Sequence, residues 1–178
     1  MSALYGSDAL AGVINIITRD ARETSGNLAS ASYGDRHAAS AVARLGGSAG
    51  DDLGYRAYVK YDDAPGNEDT GGSDTADDWN QLRAGARADW TGGTGQTFSI
   101  TSEAYSGKSG ESLQLTLLTP PYAQRLDSEQ DVSGGFVRGR WERAWSVGTE
   151  TSMQVYYDAS RRDGYTYGED RDTLDLEI

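Results

Sequence analysis

Cysteine is missing from these 178 residues, which removes disulfides and thiolate metal sites. Long apolar runs are missing too. The longest, residues 11–17, is broken by Asn15, whereas a membrane-spanning helix needs about 20 apolar residues. Basic side chains are scarce: 16 Lys and Arg stand against 28 Asp and Glu, for a formal net charge of −12. Phosphate binding needs clustered cations, so nucleic acid is excluded as a partner. Histidine occurs once, as His37 beside an expected turn. A Ser-His-Asp triad would have to use it, and no G-x-S-x-G elbow accompanies it, so no enzyme activity is expected. Gly107-Lys108-Ser109 has the ending of a phosphate-binding loop, but the position that needs its first glycine holds Ser102. No cofactor is implied. An export signal is also lacking after Met1, where Ser-Ala-Leu-Tyr replaces a basic and then apolar stretch.

What the chain does contain is alternation. In residues 54–62, Tyr55, Ala57, Val59 and Tyr61 oppose Arg56, Tyr58, Lys60 and Asp62. In 80–91, Leu82, Ala84, Ala86, Ala88 and Trp90 oppose Arg83, Gly85, Arg87 and Asp89. In 134–145, Val137, Gly139, Trp141 and Trp145 oppose Arg138, Arg140 and Glu142, and in 149–161 Met153, Val155, Tyr157 and Ala159 share a face. Period two marks half-buried strands. Segments 27–33, 37–47, 96–106 and 171–178 repeat the pattern more weakly, giving an all-β chain of about eight antiparallel strands.

Short gaps rich in Gly, Ser and Asp near 48–52, 92–95 and 146–148 alternate with longer ones near 63–78, 107–131 and 163–169. Outer-membrane barrels alternate short periplasmic turns with long outer loops, and only every second strand residue faces lipid there. The mean hydropathy of −0.64 is therefore compatible with such a barrel. It is equally compatible with a soluble β-sandwich, whose strands alternate in the same way. Aromatic residues at the ends of apolar faces and arginines on the opposite faces lean toward a barrel. The poor lipid face of Ala84, Ala86 and Ala88 leans away from it.

Residues 3–18 read Ala-Leu-Tyr-Gly-Ser-Asp-Ala-Leu-Ala-Gly-Val-Ile-Asn-Ile-Ile-Thr. A turn, then small residues, then a short strand with Asn15 inside it, this stretch resembles the end of the plug domain in TonB-dependent outer-membrane receptors. Tyr5, Gly6, Asp8, Ala9, Gly12 and Asn15 match the family's pattern, where they are structural. Ser133-Gly134-Gly135 to Trp141 and Tyr156-Tyr157-Asp158 to Thr173 are similar in style to the family's barrel strands.

The resemblance implies that residues 1–21 end a plug domain. Residues 22–178 would then begin a transmembrane β-barrel of 22 strands, and the chain's start would lie upstream of Met1. It further implies an outer-membrane location in a Gram-negative bacterium and contact with outer-membrane lipid. The family couples to the inner-membrane TonB complex through the segment N-terminal to this one. It imports a scarce ligand, a ferric siderophore or a cobalamin-like corrinoid. The alternatives are a complete eight-stranded barrel of structural or adhesive role, closed by pairing 171–178 with 27–33, and a soluble β-sandwich binding module.

Candidate site residues follow. Leu115, Leu117 and Tyr122 lie in an apolar loop, 107–131, that either contacts ligand or packs on its neighbours. Arg83, Arg87, Arg138 and Arg140 share the polar phase, where they either meet plug carboxylates or an anionic ligand or form internal networks. Asp62, Asp63 and Asp69 belong to an acidic stretch that either binds calcium or is simply solvated.

Overall fold

The computed structural model describes residues 18–34, 38–68, 70–93, 95–146 and 148–178. The motif residues Tyr5, Gly6, Asp8, Ala9, Gly12 and Asn15 lie outside the described residues, as do His37 and Asp69. Eight strands follow one another: β1 (Leu28–Tyr33), β2 (Ala39–Ala49), β3 (Leu53–Ala64), β4 (Trp79–Gly92), β5 (Gln96–Thr116), β6 (Ala123–Ser146), β7 (Thr149–Asp163) and β8 (Gly168–Glu177). They form one sheet in sequence order, each strand antiparallel to the next. All eight expected segments are strands.

The expected loop 107–131 is largely strand. β5 and β6 run through it in continuous register, and only 117–122 turns. Leu113 and Leu115 alternate with Ser112, Gln114 and Thr116, so period two simply continues past the length of a bilayer crossing. The long gap expected at 163–169 shrinks to 164–167 because β8 begins at Gly168. The three tight connections 50–52, 93–95 and 147–148 each contain a glycine at positive φ, namely Gly50, Gly95 and Gly148, a conformation that L side chains resist.

The sheet is open. β1 pairs only with β2 and β8 only with β7 among the described residues, so the closed eight-stranded barrel is not formed. Among the described residues no second sheet packs on the first, so they form no sandwich. No helix among the described residues is long and apolar enough to cross a membrane, a statement that does not bear on strands.

Because the ladder holds its phase, side chains sort into two faces. On one face, register aligns Leu53, Trp90, Phe98 and Trp141 in a single row. Four further rows lead to Tyr61, Leu82, Ser106 and Ser133. No charged residue occupies these five rows on β3 to β6, nor the matching positions Ala41, Ala43, Leu45, Gly47 and Ala49 of β2. The next row up is Asp63, Asn80, Lys108, Asp131 and Asp163. At about 3.3 Å per residue the charge-free stretch is about 26 Å long along each strand. On β7 and β8 charge intrudes earlier, with Arg161, Asp170 and Asp172 on the same face. The face is uncovered: Trp90 is 45% exposed and Val137 48%. Among the described residues the only buried hydrophobic side chain is Ala21.

Ala21 belongs to the segment before β1, which makes a single 3-10 turn, Arg22–Thr24, against the opposite, polar face. Its exit is pinned where the Gly26 amide donates to the Gly46 carbonyl at 2.9 Å. Gly46 is required there, since a Cβ would lie 2.5 Å from the Thr24 carbonyl oxygen. Gly46→Ala is therefore expected to lift the segment off β2 at a cost of about 1–3 kcal/mol. The expected readouts are a lower urea midpoint and faster exchange of the Gly26 amide. An unchanged midpoint and unchanged exchange would contradict this packing.

Candidate functional site

The polar face gathers the charged side chains. Its best-buried charged group is Asp89, 6% exposed. The Asp89 carboxylate accepts the Ala21 backbone N–H at 2.7 Å, and Arg87 Nε donates to it at 2.7 and 2.9 Å. Arg87 Nη1 reaches on to Thr18 Oγ1 at 2.6 Å. Arg22 Nη2 donates to Thr91 Oγ1 at 2.8 Å and to the Asp52 carbonyl, while Arg56 donates to the Arg19 carbonyl at 3.0 Å. The polar segment after Thr18 is thus clamped to β3 and β4 by charge-assisted hydrogen bonds.

The four arginines read from the sequence do share this face. Arg83 pairs with Glu103 at 2.8 Å, and Tyr58 donates its hydroxyl to the same carboxylate. Arg83 also donates to Gln81 and lies 5.8 Å from the centre of the Tyr105 ring. Arg87 is held by Asp89, and Arg140 by Glu142 at 2.7 Å. Arg138 stands directly opposite Thr101, and its buried Nε has no hydrogen-bond partner among the described residues. Most of this charge is satisfied within the sheet. A cavity of about 500 Å³ lies under Thr18, bordered by Arg87, Ser99, Arg138, Arg140 and Glu142. A second, of about 520 Å³, lies higher, between Arg83, Tyr105, Arg162, Glu169 and Arg171.

Four of the ion pairs, Lys60–Asp62, Arg87–Asp89, Arg125–Asp127 and Arg140–Glu142, join residues two apart on one strand. This cation-x-carboxylate spacing was the sequence signal for Asp89, which residue-type reasoning passed over. Tyr58, Arg56 and Glu103 carried no comparable signal, because their partners come from other strands or from the 3-10 segment.

The ligand-loop candidates separate. Leu115 is a β5 residue, half-buried. Leu117 closes the hairpin by donating its N–H to the Tyr122 carbonyl at 2.9 Å, and Tyr122 takes φ 63° at the exposed tip. The calcium candidates also part. Asp62 lies on the polar face, bonded to Lys60 and Ser40, whereas Asp63 points from the other face toward Tyr61. Consecutive strand residues cannot converge on one ion. Among the described residues no three His, Cys, Asp or Glu side chains gather as a metal site.

In the 65–78 loop, Asp77 accepts from the Thr75 hydroxyl and from both the side-chain and backbone N–H of Asn67. These bonds lower its carboxyl to about 2 from an ordinary 3.8. A depressed carboxyl stabilises above its unfolded value and loses that contribution as pH falls through its folded value. The loop should therefore keep its order down to pH about 4 and lose it between about 4 and 2. Backbone amide exchange or tryptophan emission from Trp79 would follow this, and Asp77→Asn should remove the transition.

Asp89→Ala should cost about 3 kcal/mol, because it strands a buried guanidinium and the Ala21 amide. It should also expose the Arg22 peptide bond to trypsin in the folded chain. Equal midpoints and equal protection would sink the clamp. Neither a protein-family model, a curated protein nor a solved structure matches this chain.

Proposed function

We propose that this chain forms the end of the plug and the first eight barrel strands of a TonB-dependent outer-membrane receptor. The parent protein would import a scarce ligand, a ferric siderophore or a cobalamin-like corrinoid, across the outer membrane of a Gram-negative bacterium. One observation carries the reading. Five charge-free rows lie uncovered on one face of a single sheet, with Trp90, Phe98 and Trp141 aligned along one border and Asp63, Lys108, Asp131 and Asp163 along the other. An apolar band bordered by aromatic residues, backed by a polar interior face, is what lipid on one side and water on the other require. Each charge-free stretch spans nine residues, the length of a tilted membrane strand, about 9–11 residues.

In this reading lipid covers the apolar face, and further strands of the parent satisfy the edges of β1 and β8. The clamp at Asp89 holds the plug's exit to the inner wall. The segment before it would pass the pull of the inner-membrane TonB complex to the plug. The ligand is cargo, and no residue is assigned a catalytic step.

Ala86 lies in the middle row of the band. Ala86→Arg should lower stability in a lipid bilayer by about 2–4 kcal/mol. Gln154→Arg, on the polar face, should change it by less than about 0.5 kcal/mol. Urea titrations of the chain folded into phosphatidylcholine vesicles would measure both. A soluble fold in which Ala86→Arg is neutral would overturn the membrane reading.

A further inference from the structure

Just beyond its aromatic border the apolar face carries a single cation. Register places Gly92, Gln96, Arg143 and Thr151 in one row, next on the same face to the row of Trp90, Phe98, Trp141 and Met153. Arg143 is the only charged side chain in that row. It stacks on Trp145, its guanidinium carbon 3.6 Å from the ring centre. The polar members of the row hold the indoles. Trp141 Nε1 donates to Gln96 Oε1 at 3.2 Å, and Trp145 Nε1 donates to Thr151 Oγ1 at 3.1 Å. Both rings are thereby fixed, and the Trp145 ring sets the plane of the guanidinium.

Stacking occupies the face of a guanidinium and leaves its N–H edge for an acceptor. Among the described residues no carboxylate lies within ion-pair distance of Arg143. Its sequence neighbour Glu142 belongs to the other face, where Arg140 holds it at 2.7 Å. A planar, oriented cation with a free edge fits a phosphate, which it can meet with two parallel hydrogen bonds.

The way from Arg143 into the apolar band is shallow. On this face β6 presents Trp141, Gly139, Val137 and Gly135 in turn, and a Cβ added at Gly139 would meet nothing within 4 Å. The column leads to a cavity of about 750 Å³ bordered by Ala84, Ala104, Gly135, Val137 and Tyr157. From Trp141 to Val137 the strand rises about 13 Å. That is close to half of a hydrocarbon core about 30 Å thick, the depth that the acyl chains of one leaflet fill.

We infer that Arg143, stacked on Trp145 at the border of the apolar face, binds the phosphate of an anionic phospholipid, with an acyl chain laid along the β6 column. The N–H edge takes the phosphodiester and the column takes hydrocarbon, whereas a free phosphate ion would use only the first. The chain carries a net charge of −12 and so disfavours anionic lipid in general. A preference for such lipid must therefore be local. The inference rests on the membrane reading and adds to it a bound headgroup at a stated position.

The test uses the full chain folded into phosphatidylcholine vesicles that contain a minor share of phosphatidylglycerol. Quenching of tryptophan emission is compared for phosphatidylglycerol and phosphatidylcholine with brominated acyl chains. The wild type is expected to favour phosphatidylglycerol about fivefold, the worth of one cation beside anionic headgroups. Arg143→Gln should bring the two lipids to parity. The wild-type preference should also fall as salt rises from about 0.05 to 0.5 M, a measurement that holds even if the variant misfolds. Millimolar inorganic phosphate should leave the preference unchanged. If it abolishes the preference, the site takes free oxyanions and the lipid assignment is overturned. Parity in the wild type, or a preference that Arg143→Gln retains, would overturn the inference and leave the membrane reading standing. No quenching by either brominated lipid would overturn both.

Discussion

Each strand sends consecutive side chains to opposite faces, and an antiparallel ladder passes that phase from one strand to the next. Here the phase is carried from β1 to β8, and the one irregularity, between Ala144 and Ser146, falls at the far end of β6, beyond the apolar rows. A slip of one residue anywhere would turn a strand's tyrosines, alanines and tryptophans toward the arginines. Because no slip occurs, twenty positions on β3 to β6 merge into one uncharged surface. Among the described residues no protein layer lies over that surface. The hydrophobic effect that normally closes a sheet on another layer is left unspent within this chain, which is why lipid is the cover proposed.

The opposite face faces a different problem, because register sets Arg56 directly against Arg87. Like charges across a ladder destabilise it. Two features offset this. Asp89 lies one place along the same face from Arg87, and the Arg19 carbonyl accepts a hydrogen bond from Arg56. The same carboxylate takes the Ala21 amide, so neutralising the arginine pair and docking the preceding segment are one event. The clamp also tells the faces apart: residues 18–24 lie on the charged side.

At the other end of the strands the balance reverses. The charged row of Asp63, Lys108, Asp131 and Asp163 closes the apolar band. Above it only β5 and β6 continue, as a ribbon flanked by the 65–78 loop and the 164–167 turn. An isolated two-stranded hairpin is marginal in water. Asp78, Gly110 and the ion pairs along the polar face of the ribbon supply its support.

Period two was legible from residues such as Tyr55 to Tyr61 and Leu82 to Trp90, because alternation is a local property that needs no partner. The eight strands, their faces and the glycine-bearing tight turns therefore followed from the sequence by itself. So did the shared phase of Arg83, Arg87, Arg138 and Arg140. Where β5 and β6 stop did not, since a strand ends only when its neighbour offers no further hydrogen bonds. Asp62 and Asp63 part for the converse reason, as adjacency in sequence places strand residues back to back. Only the tertiary structure decided that the sheet stays open, that Asp89 is buried under the Ala21 amide, and that β5 and β6 run on as a two-stranded ribbon beyond their neighbours. Each of these depends on groups tens of residues apart in the chain, brought together by the ladder.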